Sequence, residues 1–205
     1  MELSTPRAQA WDEREGVVQS VTYEELAVRM LGAAAYLRDE CGLVPSGRVA
    51  LLAHNSIAYL ALSLGTMCAG GAALHLNWRQ PVGTTRALLA GLAPRVLCAS
   101  APFAAEAQTL GEQLDVRVVL LSEDGALPCP PRALSAAAEF NAATEAAGAA
   151  HATCAVFFTG GTTGTPKAVP HTHASLLHFA DAQMRVEPRP TDAEADHAGT
   201  HACSA

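Results

Sequence analysis

Five short apolar runs recur along this chain, and the stretches between them carry a different period. The runs are "RVALLA" (Arg48 to Ala53), "AALHL", "RVLCA", "VRVVLLS" and "TCAVFFT" (Thr153 to Thr159). Each is of strand length and none alternates apolar with polar residues, so each strand should be buried on both faces. The intervening stretches read as helices. Thr22 and Glu25 form a capping-box pattern ahead of Tyr23, Leu26, Met30, Leu31 and Ala34 at helical spacing, with a stop at Gly42. Asn55 and Ser56 precede an apolar helical stretch, Ile57 to Cys68, that ends at Gly70 and Gly71. Pro81 is placed as the first residue of a helix running to about Ala90, and another helix is expected from Pro102 to Leu114. Strands alternating with helices define parallel βαβ units, so the expected fold is α/β, a parallel sheet with flanking helices.

After Ser122 the alternation breaks into a Pro-rich loop, "EDGALPCPPRALS", followed by an Ala-rich helical stretch. From Val186 the chain reads "VEPRPTDAEADHAGTHACSA", with prolines, charges and small residues but no period, which is the pattern of a disordered tail. The expected organisation is a lead-in over 1–20, a domain over 21–185 and a tail over 186–205.

The last strand runs into "TGGTTGTPK", Thr159 to Lys167. Glycines let the backbone bring successive N–H groups to one concave surface, a nest that suits phosphate oxygens. Thr162 and Thr163 add hydroxyls, and Lys167 adds a compact cation. The alternative is a strand-to-strand turn whose glycines merely permit the bend. It is not a Walker A loop, because Pro166 precedes Lys167 and Ala168 follows it.

The surrounding sequence, "FFTGGTTGTPKAVPHTHASLL", resembles the phosphate-loop signature of the adenylate-forming (AMP-binding) superfamily, the group of acyl-CoA synthetases, luciferases and peptide-synthetase adenylation domains. "TYEELAVRMLGAAAYLRDECGL" is similar to that family's first helix. "GRVALLAHNSIAYLALSLGTMCAGGAALHLNWR" is similar to the strand, helix, strand and turn that follow. The likeness spans about Val21 to Gln183. It implies the incomplete N-terminal part of the adenylate-forming fold and the activity of an acid–thiol ligase. In that activity a carboxylic acid reacts with ATP and Mg²⁺ to give an acyl-adenylate, with coenzyme A or a carrier protein as acceptor. It further implies that Thr159, Gly160, Gly161, Thr162, Thr163, Gly164, Thr165 and Lys167 hold the phosphates. Gly160 stands where the family commonly has Ser, and Ala168 where it has Gly. The family's Mg²⁺-binding glutamate, ribose-binding aspartate and catalytic lysine lie in later segments absent from these residues, so no catalytic residue is assigned. The expectation is a truncated product that adenylates nothing by itself. The rival expectation is a non-catalytic module pairing with a full-length relative through an open sheet edge.

Composition narrows the rest. Half of the residues are apolar, which excludes a disordered chain. The net charge of −7 argues against nucleic acid as a partner. The six cysteines, Cys41, Cys68, Cys98, Cys129, Cys154 and Cys203, form no CxxC pair; Cys68, Cys98 and Cys154 lie in apolar runs as small hydrophobes. No apolar run reaches the roughly 20 residues of a membrane span, and the polar N-terminus has no apolar signal core, so a cytoplasmic protein is expected. His171 and His173 lack further metal ligands nearby and are placed in capping or solvated roles. His197 and His201 are separated by a glycine that argues against a helical metal clamp. Ser63 and Ser175 lack the companions of a hydrolase elbow. Trp78, beside Arg79, is expected to be a packed aromatic on a turn.

Overall fold

The computed structural model describes residues 7–12, 16–122, 127, 149–160 and 166–186. The Ala-rich stretch, nearly all of the Pro-rich loop and tail, and Gly161 to Thr165 lie outside the described residues. The elements are β1 (Arg7–Asp12), β2 (Val17–Thr22), α1 (Tyr23–Asp39), β3 (Arg48–Leu52), α2 (Ile57–Cys68), β4 (Ala72–His75), α3 (Val82–Leu92), β5 (Val96–Ala99), α4 (Ala104–Leu114), β6 (Arg117–Leu120), β7 (Thr153–Thr159), β8 (Lys167–Thr172) and α5 (His173–Val186).

Six strands form one sheet in the order β6-β5-β3-β4-β7-β8, and β1 pairs with β2 in a separate antiparallel ribbon. All pairings in the large sheet are parallel except β7 with β8. Side chains alternate between its faces. Val49, Leu51, Ala73, Val96 and Cys98 join Leu37 of α1 and Leu62 of α2. Ala50, Leu52, Leu74, Leu97 and Ala99 join Leu89 of α3 with Ala107 and Leu110 of α4. Both faces of β3 and β5 are thus covered by helices, which is why these strands read as unbroken apolar runs.

The α1 helix begins as its sequence requires. Thr22 Oγ1 accepts from the Glu25 amide at 3.1 Å, and Glu25 Oε2 accepts from the Thr22 amide at 2.8 Å. Leu26, Leu31 and Ala34 are buried, whereas Tyr23 at the first position is exposed. Helices α1 and α2 approach closely because residue 65 is glycine. A Cβ there would sit 2.7 Å from the Ala33 Cβ and 2.8 Å from the Met30 carbonyl oxygen.

The structure moves two helix starts. Pro81 is the N-cap of α3, with extended backbone (ψ 139°), and not its first helical residue; the helix continues to Leu92. Residues Ala101–Phe103 form a 3₁₀ turn, so α4 starts at Ala104 and not at Pro102. Two strand features carry no clear sequence signal. The β1–β2 ribbon lies largely in the polar lead-in, and β8 contains Pro170, a residue confined to edge strands.

Candidate functional site

In the chain the glycine-threonine stretch follows the C-terminal end of β7 and precedes antiparallel β8. Thr159 and Lys167 are register partners and close the loop at its base. Both side chains are exposed, as is Gly160, where a Cβ would meet nothing within 4 Å. The Gly160→Ser difference from the common pattern therefore has no packing cause; the missing hydroxyl leaves open space. Ala168 lies in regular strand pairing opposite Phe158 and not at a positive-φ position. A side chain there is tolerated for that reason. Of the eight residues assigned to phosphate, Thr159, Gly160 and Lys167 are described, and Gly161, Thr162, Thr163, Gly164 and Thr165 lie outside the described residues.

Behind the loop stands a polar-aromatic network that the sequence reading did not pick out. His75, the last residue of β4, stacks on Phe157 of β7 with ring centroids 4.5 Å apart and planes 5° from parallel. Phe157 in turn meets the His171 ring of β8 edge-on at 5.5 Å. On the helix side, Tyr59 Oη lies 2.6 Å from His75 Nδ1, and Ser63 Oγ lies 3.4 Å from His75 Nε2. Tyr59 and Ser63 are one turn apart on α2, so both face the same imidazole. Burial pushes the Tyr59 phenol above its ordinary range and holds His75 down at about 4. The phenol therefore stays protonated and donates to Nδ1, which leaves the proton of the neutral ring on Nε2, toward Ser63. Ser63 is 5% exposed, too buried to serve as a nucleophile on a solvent-borne substrate. The signal available in sequence was the i, i+4 spacing of Tyr59 and Ser63; their partner on β4 could not be read there.

The histidines flanking the helix start do not cap it. Thr172 and Ser175 do: the Thr172 amide donates to Ser175 Oγ at 2.9 Å and the Ser175 amide to Thr172 Oγ1 at 3.1 Å. Burial lowers the His173 pKa, and the backbone of His171 belongs to β8, its carbonyl accepting a weak bond from the Cys154 thiol at 3.5 Å. Among the described residues no group of three or more His, Cys, Asp or Glu side chains could hold a metal ion. None of the helices there is long and apolar enough to cross a membrane. Cys98 and Cys154 are buried and Cys68 half-buried, all as free thiols.

On the opposite face of the sheet, Trp78 meets His54 edge-on at 4.6 Å and Phe103 at 5.9 Å, with the Arg79 guanidinium 4.2 Å above its ring. It is a packed aromatic on the turn after β4.

Comparison with known proteins places this geometry in context. The family model described as "AMP-binding enzyme" matches residues 4–202. A long-chain-fatty-acid–CoA ligase of Mycobacterium tuberculosis, FadD13, is 30% identical over 178 residues, which is 87% of this chain and 34% of that protein. Tyrocidine synthase 2 of Brevibacillus parabrevis is 25% identical over 191 residues, 90% of this chain but 5% of that much longer protein. Among solved structures, ATP-bound MatB from Rhodopseudomonas palustris superposes with a TM-score of 0.65 at 24% identity, covering 90% of this chain and 35% of its own. The chain thus spans about a third of the length of FadD13 and of MatB. With the family match running over nearly its whole length, a mostly parallel sheet and a glycine-threonine loop at the strand end, the chain belongs to the AMP-binding enzyme family.

Proposed function

We propose that this chain carries the phosphate-gripping part of an ATP-dependent enzyme that activates a carboxylic acid as its acyl-adenylate and passes it to a thiol, coenzyme A or a carrier protein. The observation that carries the reading is the Thr159–Lys167 pair, which closes a loop of three glycines and three threonines at the exposed end of β7. The relatives favour it: FadD13 is named a fatty-acid–CoA ligase, and the MatB structure is described as ATP-bound.

The chemical need is electrostatic. A carboxylate attacking a phosphate brings like charges together, so the site has to neutralise and orient them. ATP supplies the electrophilic phosphorus and the pyrophosphate leaving group. In this reading the Lys167 ammonium and the loop amides take the outer phosphate oxygens. The hydroxyls of Thr162 and Thr163 donate to the same oxygens or sit on a phosphate-bound Mg²⁺. Lys167 is exposed at the loop base, which suits it to an anion arriving from solvent. The lysine and glutamate that the family resemblance assigns to catalysis and Mg²⁺ are not among these 205 residues. The role proposed for the chain by itself is binding without turnover. Residues 21–185 would form the partial domain, with 186–205 a tail outside it.

Titration of the full 205-residue chain with a fluorescent ATP analogue and Mg²⁺ tests this. Saturable binding is expected, weakened about ten- to a hundredfold in Lys167→Ala and Thr163→Ala, as for loss of a charge-assisted bond. Unchanged binding in both variants would refute the phosphate assignment. Acid-dependent pyrophosphate exchange by the unaltered chain would refute the absence of turnover.

A second reading is favoured by one observation. Among the described residues β8 is the terminal strand of the sheet, and Leu177 and Phe179 of the following helix are 72% and 63% exposed. A non-catalytic module would pair with a full-length relative through that edge. Lys167 and Pro170 on β8 oppose promiscuous pairing, since both residue types blunt a strand edge. Co-purification of the chain with a tagged full-length relative distinguishes the readings.

A further inference from the structure

A cavity of about 500 Å³ runs from the N-terminal ends of β3, β4 and β7 along the sheet to Ala168 of β8. It opens at the N-terminal ends of β3, β4 and β7. Its back wall is apolar, built from Leu92 of α3 with Val156 and Pro170 of the β7–β8 pair, and its rim carries Arg48, Ser46 and Thr153. The volume is in the range of small-ligand sites.

Two features of the rim suit an anion. Arg48 is exposed, and its guanidinium meets no carboxylate among the described residues. Ser46, which supplies a hydroxyl to the rim, is held at φ +64°, a left-handed conformation rare for a residue with a side chain. Hydrogen bonds from the Ser46 amide to the Gly70 carbonyl at 2.8 Å, and from the Gly47 amide to the Val44 carbonyl at 2.9 Å, fix that turn.

We infer that this cavity binds a small amphipathic carboxylate. The planar guanidinium of Arg48 takes the carboxylate in a forked contact, Ser46 and Thr153 donate hydroxyls to it, and the Leu92–Val156–Pro170 wall takes the apolar body. A bare inorganic anion would leave that wall uncovered, so the apolar body is part of the recognition. The site reaches the base of the phosphate loop only at Ala168, beside Lys167; Arg48, Ser46 and Thr153 lie at the other end of the strands.

The test is an amide chemical-shift titration of the isotope-labelled full chain with hexanoate. Saturable shifts grouped at Arg48, Thr153, Val156 and Ala168 are expected, with affinity in the millimolar range. Arg48→Gln, at an exposed position, should weaken hexanoate roughly three- to tenfold while the spectrum stays dispersed. Ala168→Phe, which narrows the cavity from β8, should weaken it as well without removing charge. Absence of saturable shifts overturns the inference, as does equal affinity of the Arg48→Gln variant or equal affinity for hexanol. Shifts gathered at Thr159 and Gly160, with none at Arg48 or Thr153, overturn it by assigning the anion to the loop. Phosphate competing as well as hexanoate overturns the amphipathic class.

Discussion

The His75 network makes stability depend on pH in a direction that can be worked out. His75 is neutral in the folded chain, with its pKa depressed from 6.5 to about 4 by burial between α2 and Phe157. In the unfolded chain the imidazole titrates at its ordinary value. Between those two values the unfolded state binds the proton and the folded state does not, so stability falls as pH falls through the window. At neutral pH the contribution is complete. The full difference corresponds to about 3 kcal/mol, and between about pH 7.5 and pH 5 the loss is about 2 kcal/mol. Urea unfolding followed by far-ultraviolet circular dichroism at those two pH values measures it. His75→Gln keeps a neutral hydrogen-bonding group but cannot titrate. It should be less stable at neutral pH and lose about 2 kcal/mol less than the unaltered chain on acidification. His173 has the same sign of shift, so some pH dependence should persist in the variant. Equal acid losses in the two proteins would refute the argument, because then His75 would not be held neutral by the fold.

Two further substitutions test the local packing arguments. Thr22→Ala removes the acceptor for the Glu25 amide at the start of α1 and should cost about 1 kcal/mol, read as a lower urea midpoint with unchanged slope. Gly65→Ala places a methyl 2.7 Å from the Ala33 Cβ; the crowding should outweigh the roughly 1 kcal/mol gain in helix propensity and leave a net destabilisation. A stabilised Gly65→Ala would mean that the two helices separate without penalty.

Much of the fold was legible in sequence because it is set by local and periodic signals. Five apolar runs became five parallel strands; β3 and β5, covered on both faces, have no polar side to interrupt them, whereas Leu120 of β6 and Phe157 of β7 stay exposed. The Thr22–Glu25 box fixed the start of α1, as the two side chains need only each other's backbone. The α3 and α4 starts were misplaced because proline suits both an N-cap and a first turn, and which one occurs depends on the incoming chain direction. β8 was missed for a related reason. Its "KAVPHT" has weak strand character, and it is held as a strand by pairing with β7 at the sheet edge.

The candidate site divides in the same way. The glycine-threonine-lysine loop is contiguous, so its chemistry could be read in order along the chain. The His75 network and the Arg48 cavity are not contiguous. Tyr59, Ser63, His75, Phe157 and His171 come from four elements, and Ser46, Arg48, Leu92, Thr153 and Pro170 from segments more than a hundred residues apart. Sequence determined which residues carry hydroxyls, rings and charges, and which runs must be buried. Which of those groups meet was decided by the strand order β6-β5-β3-β4-β7-β8, because only pairing β7 beside β4 brings Phe157 onto His75 and leaves the cavity open below it.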